Sequence, residues 1–458
     1  MSEYTVESLI TEAEISINAH NWSLAVTLLE RISQIISRQS LSTDTEQSLK
    51  TVINLAIAVL EKGDFATRWD VAKLFPRWGE AAIAPLLEIL ENDYLDTEYR
   101  WFVARILANF SPATVIPALT KLMQETTDEE LQVISSQSLA NLGKEAIDTL
   151  SDLLTNTETR LFATEALGQI HSPLTIAPLL TVIDDPNPHI RQRAIASLIN
   201  YPDPRIPPIL IKAVEDLSSM VRKEAVIGIS LNIQSLSTIV DLPALLKPLL
   251  GDINLEVGCQ TINCFGKIAT TEAIQILYEL LPISYVPEQL KLEVIRTLGQ
   301  IPTTTALQYL EKALYLYQDD HDNLDPNNTT DYLFVKEIIH SFGQVNLPNL
   351  QAIATDILLR FVQSDHPALL QPEIRQSLVL TWGYLGDNRT IDYLILFLAD
   401  ENARVKLHCL AALQKLDTDL AYEKLTSLAQ ESDLMPELQN GIAIALAEWE
   451  KSDTQSGL

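Results

Sequence analysis

Five stretches of this chain share one frame: ATEALGQIHSPLTIAPLL (163–180), NCFGKIATTEAIQIL (263–277), RTLGQIPTTTALQYL (296–310), HSFGQVNLPNLQAIA (340–354) and LTWGYLGDNRTIDYL (380–394). Each runs from an apolar anchor through Gly, one variable residue and an aliphatic, then a polar turn and a new apolar segment. The anchor recurs at Leu74, Leu107, Leu139, Leu167, Leu198, Ile229, Phe265, Leu298, Phe342, Trp382, Leu413 and Leu446. Most intervals lie between 28 and 36 residues, the length of two short helices and two turns. A period of this size cannot make independent globular cores, because a single helix pair cannot bury its own apolar face. The Gly after the anchor is expected to end its helix in the left-handed conformation that Gly adopts at least cost.

A second register runs beside the first. Seven residues before the anchor stands a basic residue, at Arg100, Arg160, Arg191, Arg222, Lys291, Arg375 and Lys406. Asp185, Asp216 and Asp400 stand six residues before three of these. An Asp in the turn between the paired helices can accept backbone N–H groups and pair with a basic side chain of its own or a neighbouring repeat. These residues are therefore expected to form a structural ladder.

Composition narrows the function classes. With 32 Lys and Arg against 61 Asp and Glu, the net charge is −29. That excludes nucleic acid as the main partner, since phosphate affinity comes from clustered basic residues, and it disfavours anionic membrane surfaces. A protein partner with a basic patch is the expectation. The 47% hydrophobic content is too high for a disordered acidic chain. No apolar run reaches the ~20 residues of a membrane span, and MSEYTVESLI has no signal-peptide character. Cys259, Cys264 and Cys409 read as buried structural thiols. A cytoplasmic location is expected.

The stretches LLTVIDDPNPHIRQRAIASL (179–198), AVEDLSSMVRKEAVIGI (213–229) and FLADENARVKLHCLAAL (397–413) resemble the HEAT-like repeat family first associated with phycobilisome lyases. The resemblance covers about residues 66–449. It implies an all-α fold, a right-handed α-solenoid of about twelve HEAT-like helix pairs with an N-terminal helical cap. It also implies a cyanobacterial, photosynthetic setting, in which such repeats serve scaffolds, assembly factors and lyases.

Residues 1–62 fall outside the repeat register and read as a helical hairpin, weakly tetratricopeptide-like at Asn21–Trp22, that caps the stack. Residues 63–450 form the repeat region, with an acidic insertion at 316–332, and 451–458 a polar tail. The insertion's Asp319, Asp320, His321, Asp322 and Asp325 suggest calcium, but counting from Asp320 puts Leu324 at position 5 and Asp325 where an EF-hand needs Gly. A solvated loop is expected. No His-Glu step, HExxH, CxxC, Walker, GxSxG or GxGxxG motif occurs. No catalytic residue and no metal site is assigned, and no cofactor is expected.

The remaining candidate is the inner face made by the second helix of each pair. Positions six, five and two before the anchor are expected to line a groove. These give Trp69, Trp101, Phe102 and Phe162, with Arg105 and Glu165; the apolar members either pack under the N-terminal cap or form an aromatic groove with Arg105 as its charged handle. The expected function is a non-catalytic protein-interaction scaffold or assembly and turnover factor. The alternative that the resemblance implies is a bilin lyase or bilin chaperone of the E/F type. There the groove would hold an open-chain tetrapyrrole, Asp70 or Glu165 would meet pyrrole N–H groups, and Arg100 or Arg105 the propionates.

Overall fold

In a computed structural model the described residues are 5–37, 43–316, 329–416, 418–431 and 433–456. They form α-helices and short 3₁₀ segments, with no β-strand among them. The acidic run from Asp319 to Asp325 lies outside the described residues. The chain divides into two compact units, Met1–Ile209 and Leu210–Leu458. No helix among the described residues is long and apolar enough to cross a membrane.

The first unit opens with Val6–Asn18 and Trp22–Ile36, packed on each other and joined by a short turn in which Asn21 caps the second helix. A third helix, Thr43–Lys62, packs on both, so the N-terminal segment holds one helix more than a hairpin. It also contacts Phe65–Ala72 and Thr97–Leu107. Trp78 donates its indole N–H to Ser33 Oγ at 2.9 Å, and Arg77 pairs with Glu30, tying this segment to the repeats. Asp64 starts the next helix by accepting the Thr67 N–H at 2.8 Å. From there the second helices of the pairs, Thr97–Leu107, Glu129–Asn141, Arg160–Gln169 and Pro188–Leu198, pack successively on one another.

The second unit repeats the arrangement. Ser219–Leu231, Leu255–Ile268, Glu288–Gln300, Thr329–Gly343, Pro372–Leu385 and Ala403–Lys415 stack in order. The last helix, Pro436–Ser456, packs on Phe397–Ala399 and continues into the segment read as a polar tail. Every anchor except Leu446 is buried, and Trp382, Phe265 and Phe342 are among the largest fully buried side chains. Such side chains each contribute roughly 1.5–3 kcal/mol on burial, which makes the anchor row the continuous core of each unit.

The glycines behind the anchors do not act as left-handed caps. Among the described glycines only Gly79, Gly143 and Gly386 have positive φ, and none of them directly follows an anchor. Gly168, Gly266, Gly299, Gly343 and Gly383 lie within helices or at their ends. Each faces a small residue one position before the next anchor: Ser197, Thr297, Ser341, Thr381 and Ala412. A methyl group on Gly299 would sit 2.6 Å from Ser341 Cβ. The reason for Gly here is close approach between helices, and the matching small residue stands about one repeat away.

The thiols also separate. Cys264 and Cys409 are buried, and burial pushes the Cys264 thiol up to about 12. Cys259 is only partly covered.

Candidate functional site

The ladder residues gather at the turns between paired helices. Arg160 donates from Nη1 to Asp185 Oδ2 at 2.7 Å and from Nε to its own turn at Leu154 O. Arg222 makes a two-point contact with Asp252, at 2.7 and 2.8 Å, while Nη1 donates to Asp216 O and Leu217 O. Arg375 does the same toward Asp400 and the carbonyls of Leu369 and Leu370. Each Asp meanwhile accepts a backbone N–H two residues on: Asn187 at Asp185, Ser218 at Asp216, Asn254 at Asp252 and Asn402 at Asp400. The Arg thus braces its own turn and grips the following one.

Arg191 braces its own turn in the same way, at Asp185 O and Pro186 O. The row also has exceptions. Arg100 turns to Leu90 O and to Asp93 of its own turn. Lys291 is buried, with its ammonium 5.8 Å from the Phe334 ring. Lys406 is not a rung. Asp400 already accepts from Arg375 and Asn402, and a lysine lacks the planar fork that serves two acceptors at once. The rung at Asp252 is not visible from the basic register, because Gly258 occupies the basic position of that repeat. The Asp itself was the available signal.

The aromatic residues form a different kind of site in the first unit. Phe65, Trp69, Trp101 and Phe102 meet edge to face, with centroids 5.2–6.2 Å apart. Phe102 does not line a groove. It is fully buried and forms the floor on which Phe65, Trp69 and Trp101 rest. Phe65, absent from the candidates drawn from the sequence, is 59% exposed and forms an outer edge. Its signal was its place directly after the Asp64 cap and four residues before Trp69, on the same helix face.

Arg105 completes the cluster. Its guanidinium lies 4.4 Å from the Trp69 ring centre and 5.7 Å from that of Trp101. The side chain is exposed, and among the described residues no carboxylate lies within ion-pair distance. A guanidinium held over an indole ring can still offer N–H groups to an anion. Phe162 is partly buried and makes no ring contact with this cluster. Glu165 is likewise set apart: it pairs with Arg193 at 3.2 Å and lines a cleft of about 510 Å³ with Gly168, Ser197 and Tyr201. A similar cleft of about 580 Å³ occurs in the second unit, where Arg296 pairs with Glu337 beside Gly299 and Ser341. Among the described residues no group of His, Cys, Asp or Glu side chains is placed to hold a metal ion.

Helix pairs stacked through buried anchors, with turns held by Arg and Asp, make an all-α fold of the α-solenoid class built from HEAT-like repeats. The family model for HEAT repeats matches residues 83–160 and 147–230. Among solved structures, importin beta in a polyethylene glycol condition is 12% identical with a TM-score of 0.51, covering 97% of this chain and 72% of that one. Kap121p is 14% identical with a TM-score of 0.48, covering 96% of this chain, which spans only 58% of its length. The likeness to importin beta is one of fold alone. No curated protein matches the sequence.

Proposed function

We propose that this chain is a non-catalytic protein-interaction scaffold that engages its partner through the aromatic platform of Phe65, Trp69 and Trp101 and its handle Arg105. The observation that carries this reading is the exposed, carboxylate-free guanidinium stacked on Trp69 in a chain of net charge −29. Leaving such a group unpaired among so many acids is consistent with a site kept for a partner. Aromatic and arginine side chains are also those that dominate interface energetics. The rest of the partner's contact surface is expected to be basic, complementing the overall charge. The resemblance of the repeats supports a cytoplasmic role in assembly or turnover of a photosynthetic complex, a phycobilisome or photosystem.

The exposed indole surface beside a cation favours one second reading, an open-chain tetrapyrrole held against Trp69 and Trp101 with a propionate at Arg105. Arg100, Glu165 and Asp70 are already engaged by Asp93, Arg193 and Lys73, so that reading rests on Arg105 alone. Purification with mass spectrometry of associated proteins, from cells that also make bilin, tests both. A defined protein complex with a colourless chain supports the scaffold. Visible absorbance lost on Arg105→Ala supports the pigment reading and overturns the scaffold as the principal function.

A further inference from the structure

In the second unit, the turns between paired helices carry large apolar side chains pointing into solvent. Leu217 is 99% exposed, Ile253 101%, Tyr285 84% and Leu370 79%. Their place in the repeat is the same: five or six residues before the position of the ladder's basic residue, at Arg222, Gly258, Lys291 and Arg375. Leu217, Ile253 and Tyr285 belong to three consecutive repeats. An isolated exposed leucine means little, but recurrence within one residue of the same register position in successive repeats sets these side chains in a row, a ridge along the turns.

The ridge is rigidly held. Arg222 donates to Leu217 O at 3.1 Å and grips Asp252, the neighbour of Ile253, so one guanidinium fixes two adjacent tips. Arg375 donates to Leu370 O at 2.9 Å. Beside the tips stand exposed acids. Glu256, Glu288 and Glu373 each follow a tip by three residues in the first turn of the next helix, and Glu215 precedes Leu217. Among them Glu256 pairs with Lys223. The local arginines are committed to carbonyls and aspartates, which leaves the ridge apolar along its crest and acidic along its flank.

We infer that this ridge docks an amphipathic basic helix of a partner protein. Charge complementarity selects the occupant: an anionic lipid surface or a second copy of this acidic chain would meet like charge. The spacing is also suitable. Packed helices lie about 8–10 Å apart, and seven residues of α-helix advance about 10.5 Å. Apolar residues seven apart would therefore reach successive tips, with Lys or Arg beside them facing the glutamates. This surface is independent of the aromatic platform.

The test uses the full-length chain and a labelled synthetic helix with Leu at every seventh position flanked by Lys, followed by fluorescence anisotropy. The expected result is binding that weakens about tenfold or more in Leu217→Ser/Ile253→Ser/Tyr285→Ser, in Glu256→Lys/Glu288→Lys, and at high salt. Circular dichroism checks that these surface variants fold. Equal binding by the triple serine variant, by a scrambled peptide or by a Glu-for-Lys peptide overturns the proposal. So does ridge-dependent sedimentation with phosphatidylcholine/phosphatidylglycerol vesicles, or ridge-dependent dimerisation by light scattering. Trp69→Ala/Arg105→Ala should leave peptide affinity unchanged, so failure here and failure of the platform reading are separately visible.

Discussion

Arg222 and Asp252 stand thirty residues apart in the chain and meet through two hydrogen bonds of 2.7 and 2.8 Å, joining the turns of consecutive repeats. The Asp252 side chain is almost fully covered, and it also accepts the Asn254 N–H. Removing it deprives Arg222 Nε and Nη2 and the Asn254 N–H of their acceptor together. Asp252→Ala is expected to cost about 2–3 kcal/mol in urea unfolding, followed by circular dichroism. Arg222→Lys should cost less, about 1 kcal/mol, because the charge remains while the fork is lost.

The same pair sets part of the acid sensitivity. The Arg222 hydrogen bonds hold the Asp252 carboxyl below its ordinary value of 3.8. The folded state therefore prefers the ionised form. Its contribution is complete above about pH 4 and is lost as pH falls through the lowered folded value. Asp252→Asn should flatten the stability profile in that acidic window and leave its slope near neutrality unchanged.

His366 gives a second pH dependence at a different range. It is buried against Phe361 and Tyr315, and its Nδ1 accepts the Ala368 N–H at 3.1 Å. Burial pushes its pKa below the usual 6.5. Folding prefers neutral imidazole, so stability holds above about pH 6.5 and declines as pH falls below it, until the folded value is reached. Thermal melts between pH 7.5 and 5 should show this decline in the natural chain and a weaker one in His366→Gln.

At the aromatic platform, depth separates structure from recognition. Phe102→Ala removes a fully buried ring and should cost about 3–5 kcal/mol. Arg105→Ala, at an exposed position, should change stability by less than about 0.5 kcal/mol. On the proposed function it nevertheless abolishes partner capture. Trp69→Ala should fall between them in stability and match Arg105→Ala in binding. Calorimetry beside a pull-down of the identified partner reads both.

How far these features were legible from the sequence depended on their range. The anchors declared themselves because a periodic apolar residue means the same thing in every repeat. Arg160, Arg222 and Arg375 stood out because the ladder is periodic too. Their exact partners did not, since Asp185, Asp252 and Asp400 belong to the following turn. Helical spacing marks Trp69, Trp101 and Phe102 as apolar positions that either pack or line a groove, but it does not say that Phe102 alone is fully buried while the two indoles stay partly exposed. The glycines were misread for a related reason. A Gly after a helical run looks locally like a terminator, and the neighbour that demands it, Ser341 for Gly299, is over forty residues away.

That contact makes its own prediction. Gly299→Ala places a methyl group against Ser341 Cβ and Cα and should cost about 1–3 kcal/mol. Ser341→Gly in the same chain should recover part of the loss. A double-mutant cycle by urea unfolding should give a favourable coupling of about 1 kcal/mol or more. Gly251→Ala, with nothing within 4 Å of the added carbon, should be close to neutral.

The five glycines and their small counterparts also work as spacers between neighbouring second helices. At each joint the thickness is set by one side chain against a bare backbone: a hydroxymethyl at Ser197 and Ser341, a branched group at Thr297 and Thr381, a methyl at Ala412. Substitution of one such residue alters one joint and leaves the others as they were. The local pitch of the stack is therefore written in single residues, and it can be tuned one joint at a time, as a machinist sets a gap with shims.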